Sequence, residues 1–261
     1  MRIMFLGTSS NSGKTTVAAM MCRYAATENI SVSPFKASNL SSSWYMTESG
    51  EPLGVGQAFQ AFASGIAPDA DMGPFILRPE NGRVIRYLKG RPSDMSAEES
   101  VSEALSSFDS LSGRYDLVVC EGSGSPVELN LKGSDIANMR MVLERSIPAV
   151  IVGDIERGGV FAAIYGTWKL IPEEDRKHLR GFIINRFRGD ISVLNPGIEE
   201  LESMTGMRCF GVIPYADLRV PEEDTSVSGA SCQEGLRSLD ELLSACRDSV
   251  DFDAMLRISG A

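Results

Sequence analysis

Met1-Arg2-Ile3-Met4-Phe5-Leu6-Gly7-Thr8-Ser9-Ser10-Asn11-Ser12-Gly13-Lys14-Thr15-Thr16 is the stretch on which the fold turns. Ile3–Leu6 is a short apolar run of the kind that forms a buried strand, and Thr16–Ala26 has helical spacing. Between them lies a glycine-bounded loop ending in Gly-Lys-Thr, the context in which backbone N–H groups at a helix N-terminus wrap phosphates. Five residues separate Gly7 from Gly13, one more than the strict spacing of such loops, but the position after the first strand supports the same reading. Phosphoryl transfer is catalysed mainly by positioning and charge stabilisation. Lys14 is therefore expected to neutralise the β- and γ-phosphates of ATP, and the Thr15 hydroxyl to be a ligand of Mg²⁺. Gly7, Thr8, Asn11, Ser12, Gly13 and Thr16 complete the expected nucleotide cradle.

Outward from this loop, apolar runs alternate with amphipathic segments. Ser31–Phe35, Leu117–Cys120, Ala149–Val152, Gly181–Ile184 and Cys209–Ile213 all read as buried strands. The rhythm predicts an α/β fold of P-loop NTPase type: a doubly wound, mainly parallel sheet with helices on both faces and ligands at the strands' carboxyl ends. Glu121, where a strand meets the flexible Gly122-Ser123-Gly124, is the expected second Mg²⁺ ligand. Asp154, at another strand end, is either a site residue or a hydrogen-bond acceptor for the Gly158-Gly159 turn. Residues 39–91 loosen into Ser-, Gly- and Pro-rich stretches around one helix near Gly56–Ser64, too long for a passive connection and so an expected substrate-binding insertion. Pro221 through Gly235 reads as an acidic surface loop, followed by helical spacing over Leu236–Ser259. One domain spanning 1–261 is the expectation.

Composition sets limits on the partners. The 261 residues are 43% hydrophobic, enough for a substantial core, and 25 basic against 35 acidic side chains give a net charge of −10. That balance argues against general nucleic-acid or acidic-membrane binding. Cys22, Cys120, Cys209, Cys232 and Cys246 form no Cys-x-x-Cys pair, and His178 is the sole imidazole, so neither a metal cluster nor a disulfide framework is expected. The N-terminal apolar run is too short for a signal segment, and no run of about 18 apolar residues occurs. A cytoplasmic protein fits these features.

Several longer motifs resemble one family. Pro34-Phe35-Lys36, Glu121-Gly122-Ser123-Gly124-Ser125-Pro126, Asp154 through Thr167 and Ile183-Ile184-Asn185-Arg186-Phe187-Arg188-Gly189-Asp190, together with the glycine loop, resemble the synthetase domain of cobyric acid synthases over about residues 3 to 228. Cobyrinic acid a,c-diamide synthase and dethiobiotin synthetase are the wider relatives. The resemblance implies an ATP-dependent amidoligase acting on a corrinoid or related tetrapyrrole: a carboxylate attacks the γ-phosphate of MgATP, and ammonia displaces phosphate from the acyl phosphate. Lys36 resembles the lysine that steadies the transferred phosphoryl group, making Lys14, Lys36 and Glu121 the implied catalytic set. Asn185 resembles the residue that reads adenine, with Arg186 over the base or at the surface. Ser38, Asn39, Gln57, Arg78, Ser123, Asn130, Lys132 and Asn138 are the implied carboxylate-substrate contacts, around Glu-Leu-Asn-Leu and Asp-Ile-x-Asn-Met patterns at Glu128–Leu131 and Asp135–Met139.

The sequence also departs from this family. Pro52-Leu53-Gly54-Val55-Gly56-Gln57 stands where Glu-Met-Gly-Arg-Ala-Gln is usual, Phe62 replaces a glutamate, and Gly73 an asparagine. A different polycarboxylate substrate is therefore also open. The family's glutamine amidotransferase domain is absent from the sequence, Cys232 lies outside any nucleophile elbow, and His178 reads as a solvated helix residue. Ammonia is then expected from solution or from a separate glutaminase subunit, and the resemblance of Val250–Leu256 to the last helix of dethiobiotin-synthetase-like domains favours a stand-alone synthetase. Dimers are common among these relatives, so a homodimer is implied. The alternatives are a dethiobiotin-synthetase-like ligase closing a cyclic urea from a diamine and CO₂, and a non-catalytic nucleotide-binding regulator. A partitioning-type nucleotide switch usually carries an extra lysine in the loop, and Gly7–Ser12 has none.

Overall fold

A strand buried on both sides must find apolar cover above and below, because its successive side chains point to opposite faces. The order of elements supplies that cover. In the computed structural model, which describes residues 1–80, 82–131, 133, 135–218 and 229–260, β1 (Arg2–Gly7) leads through the glycine loop into α1 (Lys14–Thr27) and on to β2 (Val32–Phe35). The insertion contributes β3 (Ser38–Leu40), β4 (Trp44–Met46), β5 (Pro52–Gly54), α2 (Val55–Ala63), β6 (Phe75–Glu80), β7 (Arg83–Leu88) and β8 (Arg91–Pro92). The chain continues through α3 (Ala97–Arg114), β9 (Leu117–Glu121), α4 (Met139–Arg145), β10 (Ala149–Asp154), α5 (Val160–Leu170) and β11 (Leu179–Phe187). It then forms α6 (Asn195–Thr205), β12 (Arg208–Pro214), α7 (Gly229–Ala245) and α8 (Phe252–Ser259).

The central sheet has the order β12-β11-β10-β1-β9-β2, and every neighbouring pair is parallel. Its strands include all of those expected from the apolar runs. Along β1, Ile3 and Phe5 join one cluster with Val17, Met20, Leu239 and Met255, from α1, α7 and α8. Met4 and Leu6 join the other, with Phe108, Met141 and Ile164 from α3, α4 and α5. The strand period of two thus divides the core between the two helical layers. Ser96 starts α3 with a reciprocal capping box to Glu99, which fixes where the chain re-enters the sheet after the insertion.

Residues 39–91 hold more structure than the sequence suggests. Helix α2 is present, but beside it lie a four-stranded sheet in the order β3-β6-β7-β8 and the β4–β5 hairpin. Strand β3 runs parallel to β6, and the remaining pairs are antiparallel. These strands are short, and β6 and β7 do not alternate buried with exposed residues, so they give no period-two signal. The departures from the family pattern fall here: Pro52 pairs with Met46 in the hairpin, Val55 is fully buried, and Phe62 meets the Tyr45 ring edge-on at 5.6 Å.

Two C-terminal expectations need correction. Helix α7 already begins at Gly229, within the stretch read as an acidic loop, while residues 219–228 lie outside the described residues. The run Leu236–Ser259 is two helices rather than one. Val250 bridges Gly211 between them, and the Asp251 carboxylate restarts the helix by accepting the Ala254 N–H at 2.8 Å. Glu173–His178 forms a 3₁₀ turn instead of an α-helix.

Candidate functional site

Sheet register brings the chemistry together. Phe35 lies opposite Cys120, and Phe5 opposite Glu121, so Lys36, Glu121 and the loop after Gly7 leave adjacent strand ends. On the other side Asp154 lies opposite Asn185.

The loop between β1 and α1 is built to approach an anion closely. Gly13 caps α1 at φ +96°, and no acidic side chain sits in the first turn to offset the positive end of the helix dipole. A Cβ on Gly13 would strike the Asn185 amide, and one on Gly7 would lie 2.5 Å from Ser12 Oγ and 2.6 Å from Lys14 Nζ. Lys14 is buried and donates to the Ser9 carbonyl at 2.9 Å. Ser12 Oγ is buried with no hydrogen-bond partner among the described residues. Such an orphan costs about 1–3 kcal/mol, which a phosphate oxygen in the loop would offset.

Glu121 is the hub. Its Oε1 accepts from Thr15 Oγ1 at 2.8 Å and from Lys36 Nζ at 2.9 Å. Its Oε2 accepts from Gln60 Nε2 at 2.8 Å and Gln57 Nε2 at 3.4 Å. Burial by itself pushes this carboxyl up; the Lys36 charge, with hydrogen bonds from Lys36, Gln60 and Thr15, outweighs burial and holds it below the usual carboxylate range. The group is therefore an anion inside the protein. Mg²⁺ takes hard oxygen donors and keeps water and phosphate oxygens in its remaining positions. A Thr hydroxyl and a carboxylate oxygen 2.8 Å apart fit that requirement. Among the described residues there is no cluster of three or more His, Cys, Asp or Glu that would make an all-protein metal cage.

The residues singled out by sequence are distributed unequally around this hub. Asn185 is buried behind the loop, where its Nδ2 donates to the Ser12 carbonyl at 3.0 Å. Its amide nitrogen thus braces the loop, leaving Oδ1 as the atom suited to a base amino group. Arg186 donates to the Asn11 carbonyl at 3.1 Å and pairs with Asp154 Oδ2 at 2.9 Å, while Asp154 Oδ1 accepts the Glu156 N–H at 2.8 Å, so Asp154 supports both Arg186 and the turn that leads to Gly158-Gly159. Gln57 and Asn39 are buried beside Gly54, and Asn39 Nδ2 and Gln57 Oε1 have no partner among the described residues. Ser38, Ser123 and Asn138 line a cavity of about 330 Å³ whose other walls include Leu77, Val127 and Ile171. Asn138 is fixed there by its exchange of hydrogen bonds with the Ser123 backbone, at 2.8 and 3.0 Å.

Others stand apart. The Arg78 guanidinium lies 4.5 Å from the Trp44 ring centroid and 3.5 Å from Glu80, and Asn130 is exposed on a 3₁₀ turn. Lys132 lies outside the described residues. Cys232, on the inner face of α7, packs into the core and burial pushes its thiol up, while His178 is half-buried among Lys177, Asp175 and Arg180. Gln60 was missed by sequence reasoning. Its signal was present: Gln57 and Gln60 are two amides at i and i+3 in an otherwise apolar helix, which puts them on one face.

Comparison with known proteins adds the following. The CobQ/CobB/MinD/ParA nucleotide binding domain family matches residues 3–227. A probable cobyric acid synthase of Methanoculleus marisnigri is 43% identical over 234 residues, covering 86% of this chain and 48% of that protein. The cobyric acid synthase of Listeria innocua is 42% identical over 238 residues, covering 87% and 47%. The chain thus spans about half the length of these curated relatives. Among solved structures, the MinD cell division protein of Aquifex aeolicus superposes with a TM-score of 0.49 at 16% identity, over 94% of this chain and 96% of that one.

Proposed function

Because the chain belongs to the CobQ/CobB/MinD/ParA nucleotide-binding family, we propose that it is an ATP-dependent amidoligase, amidating a carboxylate of a corrinoid or related tetrapyrrole with ammonia. The observation that carries this reading is the convergence of Thr15 and Lys36 on one oxygen of the buried Glu121, beside a glycine loop with Lys14. A lysine outside the loop, held at the phosphate end, suits transfer of a phosphoryl group to a carboxylate better than simple nucleotide storage. The names of the relatives just described support the substrate class.

In this reading residues 7–16 hold the triphosphate and Lys14 lies against its β- and γ-phosphates. Thr15 and Glu121 would hold Mg²⁺, which supplies charge neutralisation of the phosphates when bound. Ser38, Asn39, Ser123 and Asn138 orient the substrate carboxylate. A carboxylate oxygen forms a bond to the γ-phosphorus as the bond to the β-phosphate bridging oxygen breaks, releasing ADP. Lys36 stabilises the charge on the transferring group. The ammonia lone pair then attacks the acyl carbon, inorganic phosphate leaves with its bonding pair, and the nitrogen loses a proton to give the amide. Ammonia enters from solution or from a separate glutaminase subunit. We assign the reaction to the cytoplasm, where five free thiols are at home, and a homodimer as the working assembly.

The test is incubation with MgATP, ammonium and a panel of tetrapyrrole acids, following ADP and substrate mass. The amidoligase reading expects ADP release coupled to a loss of about one mass unit per carboxylate, as OH becomes NH₂. Turnover with a diamine and bicarbonate in place of ammonium would establish a cyclo-ligase instead. Nucleotide binding with no ADP release across both panels would favour a regulator.

A further inference from the structure

Glu121 is gripped on both oxygens, and the two halves of the grip come from different parts of the chain. Oε1 meets Thr15 on α1 and Lys36 after β2. Oε2 meets Gln60 and Gln57 on α2, inside the insertion. Gln60 also reaches past the carboxylate, with the same Nε2 lying 3.2 Å from the Thr15 backbone oxygen. Both of its partners are acceptors, so the amide must turn its NH₂ toward them, and its orientation is fixed.

Packing does not explain a glutamine here. Apart from Gln57, the buried side chains around it on α2 are apolar, namely Val55, Ala58, Phe59, Ala61 and Ala63, and an apolar residue at 60 would fill the same space. Instead Gln60 is fully buried with its Oε1 lacking any partner among the described residues. A polar group kept against its own desolvation cost points to what its other end does. Here that end touches the two residues placed to hold Mg²⁺.

We infer that Gln60 is a positioning residue for the metal site: reaching in from the insertion, it pins Glu121 Oε2 and the Thr15 carbonyl so that Glu121 Oε1 and Thr15 Oγ1 stay together as a donor pair. Helix α2 thereby ties the substrate-side insertion to the phosphate site. The inference rests on the nucleotide-site reading above and goes beyond it by naming a residue outside the glycine loop on which metal affinity depends.

Groups that orient metal ligands typically govern metal affinity by about 10- to 100-fold. The full chain is titrated with Mg²⁺ in the presence of a fluorescent ATP analogue, and analogue binding is measured separately in chelator. Gln60→Met, which keeps the volume and removes the donor, is expected to weaken Mg²⁺ by about 10- to 100-fold while leaving binding in chelator unchanged. Gln57→Met, whose contact is longer, should show a smaller loss. Ala61→Gly weakens α2 without touching Glu121; it should lower the melting temperature and leave Mg²⁺ affinity alone. If Gln60→Met does not fold, Gln60→Asn, which keeps the amide but draws it back by a methylene, is scored by the same loss of Mg²⁺ affinity. A wild-type chain that binds no nucleotide overturns the site reading and this inference with it. Wild-type binding that Mg²⁺ strengthens, with unchanged Mg²⁺ affinity in the position-60 variant or an equal loss in Ala61→Gly, overturns the role of Gln60 alone.

Discussion

Lys36 Nζ and Glu121 Oε1 form an ion pair 2.9 Å long whose side chains are 4% and 1% exposed. Removing one partner of such a pair leaves a buried charge and costs about 3–5 kcal/mol, whereas replacing both is far milder. Lys36→Met is therefore expected to destabilise strongly, and the double variant Lys36→Met/Glu121→Gln to recover most of the loss. Urea denaturation of the singles and the double checks this; additive losses would mean that the pair is not coupled.

Asn185 braces the glycine loop from behind, through its hydrogen bond to the Ser12 carbonyl. Asn185→Ala should cost about 1 kcal/mol of stability from that bond and weaken ATP binding more than that cost alone, since the loop loses its support as well. Calorimetric titration alongside thermal melts separates the two effects. An unchanged ATP affinity would remove Asn185 from the nucleotide site.

Lys14 and Cys232 make a contrasting pair. Lys14→Ala should abolish nucleotide-dependent turnover while sparing the fold. Cys232→Ala should leave turnover with ammonium intact, because that thiol is buried and burial raises its pKa. Glutamine hydrolysis by the wild-type chain, lost in Cys232→Ala, would contradict an external ammonia source.

Acid should loosen the anchoring of the insertion. Burial pushes the Asp71 carboxyl up, but hydrogen bonds from Lys89 and Ser110, with the Lys89 charge, outweigh it and hold the group below its ordinary 3.8. A carboxyl with a depressed folded pKa stabilises at pH values above 3.8, and that contribution is lost as pH falls through the lower folded value. Asp71 also meets Arg114 of α3 at 3.2 Å, so its protonation releases a link between the insertion and α3. Asp71→Asn is expected to lower the melting temperature at neutral pH and to flatten the acid limb of the stability curve. Parallel acid limbs in the two proteins would show that another carboxylate governs it.

The central sheet and the glycine loop could be read directly because their signals are local. Four or five consecutive apolar residues specify a two-sided strand, and Gly13-Lys14-Thr15 after β1 specifies a helix start that approaches an anion. Glu121, Lys36 and Asn185 could be placed at strand ends for the same reason. The second sheet could not: β6 and β7 carry arginines and tyrosine on half-buried faces, and the pairing of β6 with β3 is decided by contacts remote in sequence. Arg78 illustrates the difference, since its residue type suggested a contact to the substrate's carboxylate, and its surroundings gave it the protein's own Trp44 and Glu80.

By itself the sequence determined the α/β layering, the phosphate loop and which strand ends carry charge, all of which follow from periodicity and short-range backbone chemistry. Only the tertiary structure decided which polar atoms meet. Gln60 reaches Glu121 across 61 positions, and Asn185 reaches Ser12 across 173. Contacts of that range depend on sheet register and helix docking, which are properties of the whole core, and no local pattern encodes them.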